Sequence, residues 1–271
     1  MIETALIRVS ANFLLPALLL SCASLMGQSQ SAASPHSPTP VFIELFTSEG
    51  CSSCPPADAF LEKLDLLQPI PGGQAIVLSE HVDYWNYEGW TDPYSSGSFT
   101  NRQAAYVRAL AGDSPYTPQF IVNGTTEFDL YKPEQVSQIL LKAAKAQQLP
   151  VSIGDLHIES DSPTVLHAHI DADGALARHN ADVYAVIALD HAESKVLHGE
   201  NGGRRLTHAA VALNLVRVGR LEKGKPFSSD FQAKLKPGLD PRNLRLVVFV
   251  QEPGPGAVIG AALREVSPPA K

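Results

Sequence analysis

Two hydrophobic periods divide the chain near residue 150. Before that point short apolar runs alternate with segments whose apolar residues recur every three or four positions; after it they alternate in twos. Residues 41–47, VFIELFT, form a short β-rich apolar run that reads as a buried strand. In 57–67 the apolar residues Phe60, Leu61, Leu64 and Leu67 fall at helical spacing. Pro55 and Pro56 suit the first turn of that helix, where no N–H partner is lost. Pro71-Gly72-Gly73 breaks the chain, and 75–82 reads as a second strand. An irregular aromatic insert follows over 84–100, with Tyr84, Trp85, Tyr87, Trp90, Tyr94 and Phe99. Residues 100–110 are expected helical, 119–122 a strand, and Asn123-Gly124 a hairpin turn. The last helix of this stretch is expected over 133–148, with Val136, Ile139, Leu140 and Ala143 on one face.

Beyond residue 150, strands are expected over 151–159, 164–171, 182–190, 211–220, 243–251 and 257–263. Six strands without a convincing helix predict a small antiparallel β-sandwich-like domain. The fold class is therefore α/β over 41–150 followed by a β-rich domain over 151–271.

The amino terminus has a different character. Arg8 precedes an apolar segment over 13–20, too short to span a membrane but suited to a signal peptide over 1–23. Leu19-Leu20-Ser21-Cys22 resembles a lipobox, making Cys22 a candidate lipidation site, and Ser21-Cys22-Ala23 suits ordinary cleavage equally well. Residues 24–40, rich in Ser, Pro and Gln, read as a flexible tether. The protein is expected to be exported, either periplasmic or a membrane-anchored lipoprotein, so its thiols meet an oxidising compartment.

Charge narrows the partners. The 271 residues carry 21 Lys+Arg against 28 Asp+Glu, a net charge of −7, which argues against a nucleic-acid binder. Membrane association is expected only through a lipid anchor. Residues 201–271 hold 12 bases and 5 acids, and this basic third is expected to face acidic surface elsewhere in the molecule.

The chemistry centres on Cys51-Ser52-Ser53-Cys54, placed between the first strand and the first helix. Three cysteines are too few for a disulfide scaffold but enough for one redox or metal pair. A helix N-terminus carries roughly half a positive charge, which stabilises a thiolate at Cys51. Pro118, preceded by Thr117 and followed by a strand, is expected to carry a cis peptide bond and to sit against the pair. His81 and Asp83 end the second strand and are auxiliary candidates: a proton acceptor for Cys54, or residues that position the aromatic insert. A copper-binding chaperone using Cys51, Cys54 and His81 is one alternative, and a static structural disulfide is another.

The strings ELFTSEGCSSCPPADAFLEKL, LSEHVDYWNYEGWTDPY, RQAAYVRALAGDSPYTPQFIVNG and GENGGRRLTHAAV resemble the domain-of-unknown-function 1223 family of bacterial exported proteins. The resemblance spans 41–220 and implies a thioredoxin-like fold with a β-rich addition and no established substrate.

Residues and resemblance together predict an exported thiol–disulfide oxidoreductase of reductase or isomerase type. Cys51 attacks, Cys54 resolves, Pro118 holds substrate backbone, and no cofactor is needed. The partners are exported protein thiols or a redox partner protein. Cys51 is expected to be the exposed sulfur and Cys54 the buried one. Glu44 and Glu49 oppose thiolate formation, so the potential is expected nearer ~−200 mV than ~−120 mV.

Overall fold

The computed structural model describes residues 37–159 and 163–266. The expected signal peptide over 1–23, the candidate lipidation site Cys22 and most of the expected tether over 24–40 lie outside the described residues.

Strands β1 (Thr39–Thr47) and β2 (Gly73–His81) are parallel and joined by helix α1 (Pro55–Leu67). After the aromatic insert comes α2 (Gly97–Ala109). It starts earlier than the apolar spacing suggests because the Ser96 side chain caps it, accepting from the Ser98 N–H. β3 (Gln119–Val122) runs antiparallel to β1 and turns at Asn123-Gly124 into β4 (Thr126–Phe128). Both turn residues have positive φ, 46° and 71°, as a tight hairpin turn requires. α3 (Pro133–Ala143) follows and stops short of the expected residue 148.

The remaining strands are β5 (Val151–Glu159), β6 (Val165–Ala172), β7 (Ala181–Lys195), β8 (Arg205–Leu221), β9 (Phe227–Lys234), β10 (Leu244–Gln251) and β11 (Val258–Glu265). They do not form a sandwich of their own. Only β5, β6 and β9 make a separate antiparallel sheet, whereas β7, β8, β10 and β11 continue the first sheet. The result is a mixed eight-stranded sheet in the order β11-β10-β7-β8-β2-β1-β3-β4. The junction is the parallel neighbourhood of β2 and β8, with Ser79 opposite Val211. β2 itself fits an inner position: Ala75 to Leu78 are buried, as in a strand of a sheet covered on both faces. Alternation identifies a strand but not its neighbour, so the expected partition at 150 did not foresee the shared sheet.

Side-chain alternation along β1 separates two cores. Val41, Ile43 and Leu45 face α1 and α3, where they meet Leu61, Leu64, Val136 and Leu140. Phe42 points to the α2 side, joining Phe99, Val186, Val247 and Phe249. The Phe42 and Phe249 rings lie 4.6 Å apart, tying β1 to β10 across the presumed boundary. The three-stranded sheet covers the far half of the large one through Leu166, Ile170, Val183, Ile187, Leu246 and Val248. Each such side chain contributes about 1.5–3 kcal/mol by burial. The basic third does meet acidic surface: Arg245 pairs with Asp65 of α1 at 2.9 Å and with Asp190 of β7, and Arg217 pairs with Asp182 at 2.7 Å.

Candidate active site

The turn after β1 is built from its own side chains. Ser48 Oγ accepts from the Gly50 N–H at 3.1 Å, and the Cys51 N–H donates to the Ser48 carbonyl. Gly50 is needed for space, since a Cβ there would stand 3.0 Å from Trp85 Cβ. Cys54 is the N-cap of α1, with Pro55 and Pro56 in the first turn, and is disulfide-bonded to Cys51 with a Cα–Cα distance of 5.4 Å. The Thr117–Pro118 bond is cis, and the Thr117 carbonyl oxygen lies 3.8 Å from Cys51 Sγ. Ser53 Oγ lies 3.3 Å from the same sulfur. Cys51, Cys54, Thr117 and Pro118 are thus brought together from segments more than sixty residues apart.

The expected exposure of Cys51 is corrected: both cysteines are fully buried. Two segments close over the turn. From the aromatic insert, Trp85 packs on Gly50 and donates Nε1–H to Thr117 Oγ1 at 2.8 Å. From the β7–β8 connection, buried Asn201 donates Nδ2–H to the carbonyls of Glu49 and Cys51, each at 2.9 Å. Beside it the Glu200 carboxylate accepts from the Ser52 N–H at 3.0 Å. Arg204 donates to Asn201 Oδ1 and holds the amide in place.

Beneath the turn lies a buried group of two histidines and three carboxylates. His81 donates Nδ1–H to Asp92 Oδ2 at 2.7 Å, and the Glu49 N–H donates to the same oxygen at 2.8 Å. Burial alone would raise the Asp92 carboxyl, but the His81 imidazole and the N–H groups of Glu49 and Tyr94 hold it below the usual range. His208, from β8, stands edge-on to His81 with ring centroids 4.7 Å apart. Its Nε2 is 3.3 Å from Glu49 Oε1 and its Nδ1 is 3.6 Å from Asp58 Oδ1. None of these four atoms has an aligned hydrogen bond, so the attraction is chiefly between charges. Burial disfavours the His208 cation, yet Asp58 and Glu49 outweigh it and push its pKa up to about 10. Trp90 Nε1–H donates to the other Glu49 oxygen at 2.7 Å.

His81 therefore faces Asp92, Tyr94 and His208, and Asp83 accepts the Thr100 hydroxyl at 2.6 Å, anchoring the start of α2. Among the described residues no group of three or more His, Cys, Asp or Glu is arranged to hold a metal ion. Sequence reasoning gave Glu49 only a repulsive charge beside the pair and left Asp58, Asp92, Glu200, Asn201 and His208 without roles at the site. All of them, like Arg204, stand within the family-like strings, the signal that pointed there.

A second buried polar group joins α2 to the sheet. Glu44 accepts from Arg102 and from the Tyr106 hydroxyl, each at 2.6 Å, while Glu80 lies 3.5 Å from Arg102. Burial, reinforced by the Glu44 charge, pushes the Glu80 carboxyl well above its ordinary value.

Comparison with known proteins supplies relatives. No curated protein matches the chain. Protein AGR_C_4864 from Agrobacterium tumefaciens, known from a crystal structure, is similar with a TM-score of 0.64 and 26% identity, covering 85% of this chain and 96% of its own. HBP35 of Porphyromonas gingivalis has a TM-score of 0.62 at 17% identity, covering 86% of this chain and 78% of its own, a likeness of fold alone. A family model described as Protein of unknown function (DUF1223) matches residues 42–251. Spanning most of both sheets and every residue of the site, that match establishes that the chain belongs to the DUF1223 family.

Proposed function

We propose that the protein is an exported thiol–disulfide oxidoreductase of reductase or isomerase type, with Cys51 and Cys54 as its redox pair and no cofactor. The observation that carries this reading is the Cys51–Cys54 disulfide at the N-terminus of α1, with the Thr117 carbonyl 3.8 Å from Cys51 Sγ. A thioredoxin-like unit is part of the proposal. Its support is the strand order β2-β1-β3-β4, with β1 parallel to β2 and antiparallel to β3.

In the reduced protein the helix N-terminus favours the Cys51 thiolate. That thiolate attacks one sulfur of a substrate disulfide; the substrate S–S bond breaks, and the departing thiolate takes a proton from solvent. A mixed disulfide joins Cys51 to the substrate. Cys54, as thiolate, then attacks the Cys51 sulfur, releasing the second substrate thiolate, which is protonated in turn. Two electrons pass from the pair to the substrate, and the Cys51–Cys54 bond is restored. The Thr117–Pro118 backbone beside Cys51 aligns an extended substrate segment. Residues 1–23 direct export, Cys22 is the lipidation candidate, and exported protein thiols are the partners.

Trapping in cells tests the reading. Cys54→Ser retains the attacking sulfur and loses the resolving one, so it should accumulate mixed disulfides with exported proteins, whereas Cys51→Ser should not. If Cys54→Ser captures nothing while remaining folded, the pair is a static staple and the proposal fails.

A further inference from the structure

We propose that Glu200 is a positioning residue that sets the ionisation of Cys51 and gives the dithiol a preference for cationic thiol and disulfide partners. The inference rests on the oxidoreductase reading and specifies the substrate class of that site.

The geometry is direct. Glu200 Oε2 accepts the Ser52 N–H at 3.0 Å. Ser52 N is bonded to the Cys51 carbonyl carbon, so bond lengths place this carboxylate oxygen within about 7 Å of Cys51 Sγ. The N–H it occupies belongs to Ser52, in the turn that leads into α1 and next in sequence to Cys51. A negative charge takes that donor and adds repulsion. The Ser52 hydroxyl and N–H nearby hold the Glu200 carboxyl below its ordinary value.

The buried carboxylates around the turn are already engaged, and Arg204 beside them is held by a neutral amide. Glu49 is bound by Trp90 and faced by His208, Asp58 faces His208, and Asp92 is bound by His81. Arg204 donates to Asn201. Glu200 differs from these carboxylates in being exposed at the turn, so its field reaches an approaching partner. Its place is held by buried Asn201, which binds the Cys51 carbonyl, and by Gly199, whose positive φ of 75° and contacts with Glu88 and Trp90 leave no room for a side chain. A carboxylate fixed at the entrance attracts a substrate sulfur flanked by Lys, Arg or an amine and repels one flanked by acids.

Three variants of the full mature chain, Glu200→Gln, Glu200→Ala and Glu200→Lys, separate charge from covering. After reduction, the pH midpoint of alkylation at Cys51 is followed by peptide mass spectrometry. Glu200→Gln should lower that midpoint by about one pH unit, Glu200→Ala equally, and Glu200→Lys further. Reaction of the reduced chain with cystamine, a cationic disulfide, should outpace reaction with anionic glutathione disulfide. That ratio should fall about tenfold in Glu200→Gln and shrink in wild type as salt rises. Unchanged midpoints and an unchanged ratio in Glu200→Gln and Glu200→Lys would overturn the proposal. The trapping experiment remains independent: a chain that traps exported proteins but ignores these substitutions loses only the role of Glu200. A chain that shows both shifts but traps nothing loses the oxidoreductase reading instead.

Discussion

The protein holds two clusters of histidine and carboxylate with nearly the same composition and opposite surroundings. Under the CxxC turn, His81 and His208 are sealed with Glu49, Asp58 and Asp92. On the outer face of the three-stranded sheet, His167 meets Glu159 and His169 meets Asp171 and Asp230 in contact with solvent, with His157 stacked on His167. Their contact distances are alike: His169 Nδ1 is 2.7 Å from Asp230, and His81 Nδ1 is 2.7 Å from Asp92. What differs is the dielectric. Water screens the outer pairs, whereas under the turn each charge depends on its partner. The same imidazole–carboxylate contact therefore decorates one surface and helps to hold the other site together.

The largest difference should appear when a partner is removed. His208→Leu leaves Glu49 and Asp58 facing an apolar side chain, which should cost about 3–5 kcal/mol of stability in urea unfolding of the oxidised protein. A cost no larger than that of His169→Ala would erase the distinction. Next comes the response to alkali. The His208 pKa is raised to about 10 in the folded state, against ~6.5 unfolded. Its stabilisation is thus complete below pH ~6.5 and disappears as pH rises through 10. Wild type should lose roughly 2–4 kcal/mol across that window, and His208→Leu should lack this decline. Equal pH slopes in the two proteins would remove His208 as the cause. The smallest effect belongs to the outer face. The bond to Asp230 raises the His169 pKa, so Asp230→Asn should bring its NMR titration midpoint down without moving the urea midpoint. A shift in the urea midpoint would show that the outer cluster supports the fold as well.

What the sequence disclosed follows the range of each signal. β1, α1 and β3 were legible because an apolar run, a helical spacing and an Asn-Gly turn are local. Cys51, Cys54 and Pro118 were legible for the same reason: spacing and neighbours identify them. β9 escaped because Phe227 and Phe231 are its only large apolar residues, among Ser, Asp, Gln and Lys. The shared sheet escaped because Val211 finds Ser79 across more than a hundred residues. His208 escaped likewise: a single histidine in an alternating strand looks the same whether it faces solvent or the underside of the CxxC turn. Its role is fixed by Glu49 and Asp58, which only the β2–β8 neighbourhood brings within reach.

Asn201 gives the order of biosynthesis a structural meaning. The carbonyls of Glu49 and Cys51 are closed by an amide 152 and 150 residues further along. As the chain emerges amino end first, Cys51 and Cys54 are present long before β7, the Asn201 loop and β8. During that interval the turn lacks the Asn201 amide; once β8 settles beside β2, it acquires its cover. A fragment ending at residue 150 would lack Asn201 and leave the buried strand β2 as an exposed sheet edge, a place for mispairing. The cysteine turn is thus encoded near the beginning and completed near the end, making its enclosure a late event.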